Sequence, residues 1–170
     1  MAQVVQSFTY LNEVQLEDRG EIGAYQKIEV PELDLMYEIP ANWYQGVNGE
    51  IWFTDETPGA FIGVKWLDLE APQEPEAVLL PHPSRTIFSG DFDLDGVAGR
   101  MIGLETYAHV SEGDEKASVV TVETHVIAVV VSDNQRRALD VYVGADSQAE
   151  LESIVAVYQH LLGTLSLHNG

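Results

Sequence analysis

The stretch GDFDLDG, residues 90–96, sets Asp91, Asp93 and Asp95 two residues apart and closes on Gly96. An EF-hand calcium loop begins this way, because alternate carboxylates and a glycine turn wrap a hard cation in oxygen. Counted from Asp91, however, the ninth place is Gly99 and the twelfth, where a bidentate Glu belongs, is Ile102. The flanks also read as strands where an EF-hand needs helices. A β-strand running into an Asp-Gly hairpin turn explains more. Phe88, Phe92 and Leu94 alternate with the three aspartates at the period of a strand. Asp95-Gly96 is a strong two-residue hairpin signal. The expectation is a solvated strand face, and calcium held by Asp91, Asp93 and Asp95 is the alternative use of the same residues.

Two further constellations stand out. Glu123 and His125 are two apart on one strand and share a face. An ordinary cross-strand polar pair is the simplest reading. The second alternative is a hydrolase in which His125 and Glu123 serve as acid–base groups. Trp43, Tyr44, Trp52 and Trp66, with Phe53 and Phe61, gather in the first half of the chain. Aromatics anchor protein partners and ligands, so the first four are candidates for a binding groove. Core and cross-strand packing is the competing use of such a cluster. No G-x-S-x-G elbow, P-loop or H-E-x-x-H occurs, and Gly99 and Gly103 open no helix as a dinucleotide fingerprint requires. The residues thus favour a non-catalytic chain.

Bulk composition narrows the partners. The 170 residues carry 28 acidic and 8 basic side chains, a net charge of −20. Such a surface repels phosphate backbones and anionic lipid, which argues against nucleic acid. A basic protein, a cation or a high-salt setting suits it. There is no cysteine, hence no disulfide, thiolate zinc site or cysteine nucleophile. No apolar run reaches the roughly 18 residues of a membrane-spanning helix. The start MAQVVQSFTYLNEVQ has neither a basic nor a long apolar region, so no signal peptide is visible. Its Met-Ala opening is either native or stands where a leader was removed.

These residues need a scaffold, and the pattern supplies one. Residues 1–23 read as a polar lead-in and 24–170 as a single domain. Strands are expected at 25–30, 33–39, 50–55, 60–70, 85–95, 97–110, 116–133 and 136–144. The segment 71–84 holds four of seven prolines and is a connection. Within the longest strand, polar and apolar residues alternate up to His125, and every residue from Val126 to Val131 is apolar. A continuous run means both faces are covered. The cover is a helix over 147–162, with Ser147 and Glu150 as a capping box and Leu151, Ile154, Val155, Tyr158, Leu161 and Leu162 as its apolar face. Gly163 is expected just past its end, and 164–167 as a last short strand. The sum is an α+β domain: an antiparallel meander covered by a C-terminal helix.

This order of elements resembles the PsbP-like superfamily, which includes the Ran-binding Mog-type proteins and related bacterial domains. LDLMYEIPANWYQ resembles the opening strand with its yP-x-x-W phrase, and EIWFTD and AFIGVKWLDL the next two strands. DLDGVAGRMIGLETY resembles the central hairpin, and LDVYVGADSQAELESIVAVYQHLLGTLSL the closing strand, helix and tail. The family's helix after the fourth strand has only the proline-rich 71–84 in its place. The resemblance implies an α/β/α sandwich and a non-enzymatic accessory role, with an unidentified protein partner and no cofactor. Many bacterial members look like exported lipoproteins, which implies an extracytoplasmic setting, with the cytoplasm as the alternative. Some plant-type members bind divalent cations, but no ligand motif of theirs carries over here.

Overall fold

The computed structural model describes residues 24–46, 50–71, 84–107, 119–132 and 135–167. The lead-in, most of the proline-rich connection, and His82, His109 and His168 lie outside them.

The chain begins with a hairpin. Strand β1 (Tyr25–Val30) pairs antiparallel with β2 (Leu35–Pro40) around a single 3-10 turn, Pro31–Leu33. Pro31 sits at the start of that turn, where a missing N–H costs nothing. Short strands β3 (Tyr44–Gln45) and β4 (Ile51–Phe53) lead to β5 (Phe61–Leu69). Then come four long strands: β6 (Ser84–Leu94), β7 (Val97–Tyr107), β8 (Val119–Ser132) and β9 (Gln135–Ala145). Helix α1 (Gln148–Thr164) and β10 (Ser166–Leu167) close the chain.

The strands form two sheets rather than one simple meander. The larger has the order β3-β4-β5-β9-β8-β7-β6, and the smaller is β1-β2-β10. Strands β6 to β9 do meander, but β5 pairs with β9, so the chain crosses the sheet between β5 and β6. The turn at Asp95-Gly96 has positive φ at both residues, 49° and 85°. That is the backbone a two-residue hairpin demands, and Asp and Gly tolerate it. The hairpin reading of GDFDLDG is therefore the one the fold uses.

Register sets the two faces of the large sheet. Val122, Val126, Ala128, Leu139, Val141, Val143, Ile62 and Val64 alternate onto one face and join the main core. Helix α1 packs there with Leu151, Ile154, Val155, Tyr158 and Leu161, and the small sheet adds Leu35, Tyr37 and Ile39. Ser147 caps the helix by accepting from the Glu150 N–H at 3.2 Å. Gly163 is not the terminator expected of it: the helix runs through it to Thr164. That hydroxyl donates back to the Leu161 carbonyl and accepts from the Glu38 N–H, so Thr164 fastens the last turn onto β2. The opposite face carries Ile102, Leu104 and Ile127, a separate small apolar cluster, and beside it the polar residues of interest. One α-helix is found among the described residues. The second helical layer of a full α/β/α sandwich does not fall within them.

Candidate functional site

Strand alternation puts Glu123 and His125 on the face away from α1, and the β8–β9 hairpin brings their partners. Residues 122–132 pair with 135–145 so that Tyr142 stands opposite His125 and Asp140 opposite Ile127, one step along the same face. His125 is 4% exposed and Asp140 also 4%. The imidazole Nδ1 lies 3.0 and 2.9 Å from the two oxygens of Asp140, and Nε2 lies 2.8 Å from Glu123 Oε1. The Thr121 hydroxyl donates to the other oxygen of Glu123 at 2.6 Å and meets the Thr106 hydroxyl at 2.5 Å.

Strand β5 supplies the opposite rim. Lys65 Nζ is 3.7 Å from Asp140 Oδ2 and 5.1 Å from the centre of the Tyr142 ring, a cation–π contact. That ring stacks on His125 with centroids 5.2 Å apart, and its hydroxyl donates to Glu50 Oε1 at 2.7 Å. The ring lies over Gly63, its direct cross-strand neighbour, in space a Cβ would fill.

The electrostatics follow from this enclosure. Burial alone pushes the His125 pKa down, but hydrogen bonds to Asp140 and Glu123 and their charges outweigh it and raise it to about 9. Burial pushes Glu123 up, yet the hydrogen bonds from His125 and Thr121, aided by the charges of His125 and Lys65, hold it below the usual carboxylate range. Burial and the bond to Glu50 drive the Tyr142 hydroxyl far above its ordinary value. At neutral pH His125 is thus an imidazolium donating from both nitrogens. Such a group has no free lone pair to take a proton and no bare proton to give. It ties β8 to β9 through Asp140, and β5 reaches the same group through Lys65.

The aspartates are engaged elsewhere. Asp91 is paired with Arg100 at 2.7 Å across the β6–β7 hairpin. Asp93 accepts from the Gly96 N–H at 2.6 Å and closes the turn. Asp95 accepts from the Leu167 N–H at 2.7 Å and so ties the hairpin tip to β10. The sequence put all three on one face, but Asp95 has left the strand for the turn. Among the described residues no three His, Asp or Glu side chains are arranged so that they could hold a metal ion.

No protein-family model and no curated protein matches the sequence. Solved structures do match the fold. Cyanobacterial PsbP (CyanoP) from Synechocystis sp. PCC 6803 superposes with a TM-score of 0.56, covering 86% of this chain and 94% of that one at 10% identity. LpqN of Mycobacterium tuberculosis, described as involved in cell envelope biogenesis, gives 0.59 over 84% of this chain and 90% of its own at 11% identity. The fold is PsbP-like.

On this PsbP-like frame the four aromatic candidates separate. Trp43 and Trp52 do not line a groove: they are core residues, 6% and 5% exposed. The Trp52 indole N–H donates to the Tyr37 hydroxyl at 3.0 Å, which satisfies its one polar atom indoors. Tyr44 and Trp66 remain at the surface, 49% and 40% exposed. The partners of His125 were not visible as a motif, because Asp140, Tyr142 and Lys65 come from other strands. The signal that finds them is the tight turn after β8: once Ser132 is set opposite Gln135, counting back places Tyr142 across from His125.

Proposed function

We propose that this chain is a non-catalytic accessory module that works outside the cytoplasm by contacting a protein partner. The observation that carries the reading is the closed state of its chemically richest group. Every polar end in the His125, Glu123, Asp140 and Tyr142 cluster is spent on another residue of the same cluster or its rim. The PsbP-like fold supports the same view, and an envelope role for LpqN supports an extracytoplasmic setting. Exposed Tyr44 and Trp66 support a protein contact, since surface aromatics are favoured interface anchors. Calcium binding by Asp91, Asp93 and Asp95 and hydrolysis by His125 and Glu123 are less favoured, because those side chains already have partners.

Site-specific photo-crosslinking in the native cell tests the proposal. A cross-linking residue at position 44 or 66 is expected to capture a discrete protein, and one at position 93 is not. No capture at any of the three, at low or high salt, would overturn the reading.

A further inference from the structure

Two stretches of the chain are empty of positive charge. No Lys, Arg or His occurs in residues 28–64 or in residues 138–159. The fold brings parts of both to one corner. Strands β3 and β4 and the loop after them form one side of it, and the start of α1 forms the other. The link is the turn 57–60, in which the Ala60 N–H donates to the Thr57 carbonyl at 3.2 Å. Gly59 in that turn has a φ of 87°, and a Cβ there would collide with the carboxylate of Asp146 and stand 3.1 Å from Glu150 Oε2.

The acidity of this corner is local. Asp55 and Glu56 are exposed just before the turn, and Asp146 is exposed just before the helix. Glu150 turns toward Gly59, where its Oε2 is sealed from solvent and meets no hydrogen-bond donor. Among the described residues none of these four carboxylates has a cation beside it. The scarce cations are committed elsewhere: Arg85 to Glu105, Arg100 to Asp91, Arg137 to Asp68 and Lys65 to Asp140.

The same corner shows an aromatic ring. Tyr44 on β3 is 49% exposed and sits across from Phe53, with ring centroids 6.1 Å apart. Its hydroxyl donates to Asp55 Oδ1 at 3.3 Å, and the Asn42 amide donates to Glu56 Oε1 at 3.4 Å. Each bond uses one lone pair, so both carboxylates are held near β3 with acceptor capacity to spare.

Resting on the reading of the chain as a protein-binding module, we propose that this corner receives an arginine of the protein partner. A guanidinium is planar, stacks on aromatic faces and forks two N–H groups onto carboxylate oxygens. Tyr44 supplies the face, and Asp55 and Glu56 supply the acceptors. A lysine carries the same charge without the plane or the fork, so it matches the field alone. Asp146 and Glu150 deepen the negative potential that draws the cation in.

The probe is an acetylated, amidated Gly-Arg-Gly-Arg-Gly peptide. It is titrated into the ¹⁵N-labelled full chain at about 0.15 M salt, where attraction between exposed charges fades beyond about 8 Å. Saturable shifts of the amides at 44–46 and 55–59 are expected. The lysine counterpart is expected to bind at least about threefold more weakly. A citrulline counterpart, which keeps the shape without the charge, is expected not to bind. Tyr44→Leu keeps an apolar side chain on β3 and removes the ring. That variant, and Asp55→Asn combined with Glu56→Gln, are each expected to weaken arginine binding about three- to tenfold. Glu29→Gln combined with Glu32→Gln removes the same charge near Arg137, at the other end of β9 from Asp146, and is expected to leave binding unchanged. No saturable shift up to about 10 mM arginine peptide, or unchanged binding by Tyr44→Leu, overturns the proposal. Equal losses from the two charge-removing pairs overturn it too, because the attraction would then be to the net charge of −20 and not to the corner. Failure here together with partner capture at position 44 in cells would remove the arginine and leave the accessory role standing.

Discussion

The His125 strut makes stability depend on pH in a defined window. An ordinary histidine takes up its proton near 6.5, and this one holds it to about 9. A raised folded-state pKa means that the stabilisation is fully present below 6.5 and is lost as pH rises through 9. Each tenfold in proton affinity is worth about 1.4 kcal/mol, so the whole effect is about 3 kcal/mol. That is a large part of the 5–15 kcal/mol typical of a domain. The assay is urea unfolding at fixed ionic strength from pH 6 to 10, for the parent chain, His125→Asn and Glu123→Gln. At pH 6 the His125→Asn chain is expected to be less stable by about 3–5 kcal/mol, since it takes the imidazolium from buried Asp140, which keeps only Lys65 at 3.7 Å, and from half-buried Glu123. By pH 10 that gap should shrink by about 3 kcal/mol. Glu123→Gln removes one of the two carboxylates that raise the pKa, so its loss of stability should begin at lower pH. The difference between curves cancels titrations elsewhere in the chain. Parallel curves for parent and His125→Asn across the range would refute the reasoning.

Three further outcomes follow from the packing. Gly63→Ala should cost about 2–3 kcal/mol, because a Cβ there displaces the Tyr142 ring from His125 and strains its bond to Glu50; urea unfolding reads it, and a neutral result would mean the ring moves freely. Millimolar calcium should raise the unfolding temperature no more than sodium chloride of equal ionic strength, since all three aspartates are engaged; a calcium-specific rise abolished by Asn at 91, 93 and 95 would contradict this. Tyr158→Phe should cost about 1 kcal/mol in urea unfolding, because the fully buried hydroxyl donates to the Val141 carbonyl at 2.6 Å and that bond is lost while the carbonyl stays in the sheet.

Local signals in the sequence translated well into structure. Asp95-Gly96 has the chemistry of one turn type and adopts it. Ser147 sits where an N-cap belongs and caps. The apolar run after His125 called for cover on both faces, and α1 supplies it on one: Val126 and Ala128 join the core under it, while on the other face Ile127 is buried and Val131, at the end, is 59% exposed. What composition could not reveal was order across the sheet. Strand β5 beside β9 is a long-range pairing, and no residue of β5 advertises it. The aromatic cluster divided for the same reason: Trp52 and Trp66 look alike as letters, but only Trp66 lies beyond the end of β4. The Glu123–His125 pair was legible from spacing. Its meaning changed once Asp140 arrived from β9 to take the second nitrogen, turning a possible acid–base pair into a strut.

The account of a binding module rather than an enzyme rests on His125 being held through both nitrogens. Imidazole ¹⁵N NMR of the labelled chain between pH 6 and 9 addresses that directly. Both nitrogens of His125 are expected to remain protonated through neutral pH, with titration only near 9. A neutral ring at pH 7 with one bare nitrogen would contradict the account and return His125 to the role of an available acid–base group.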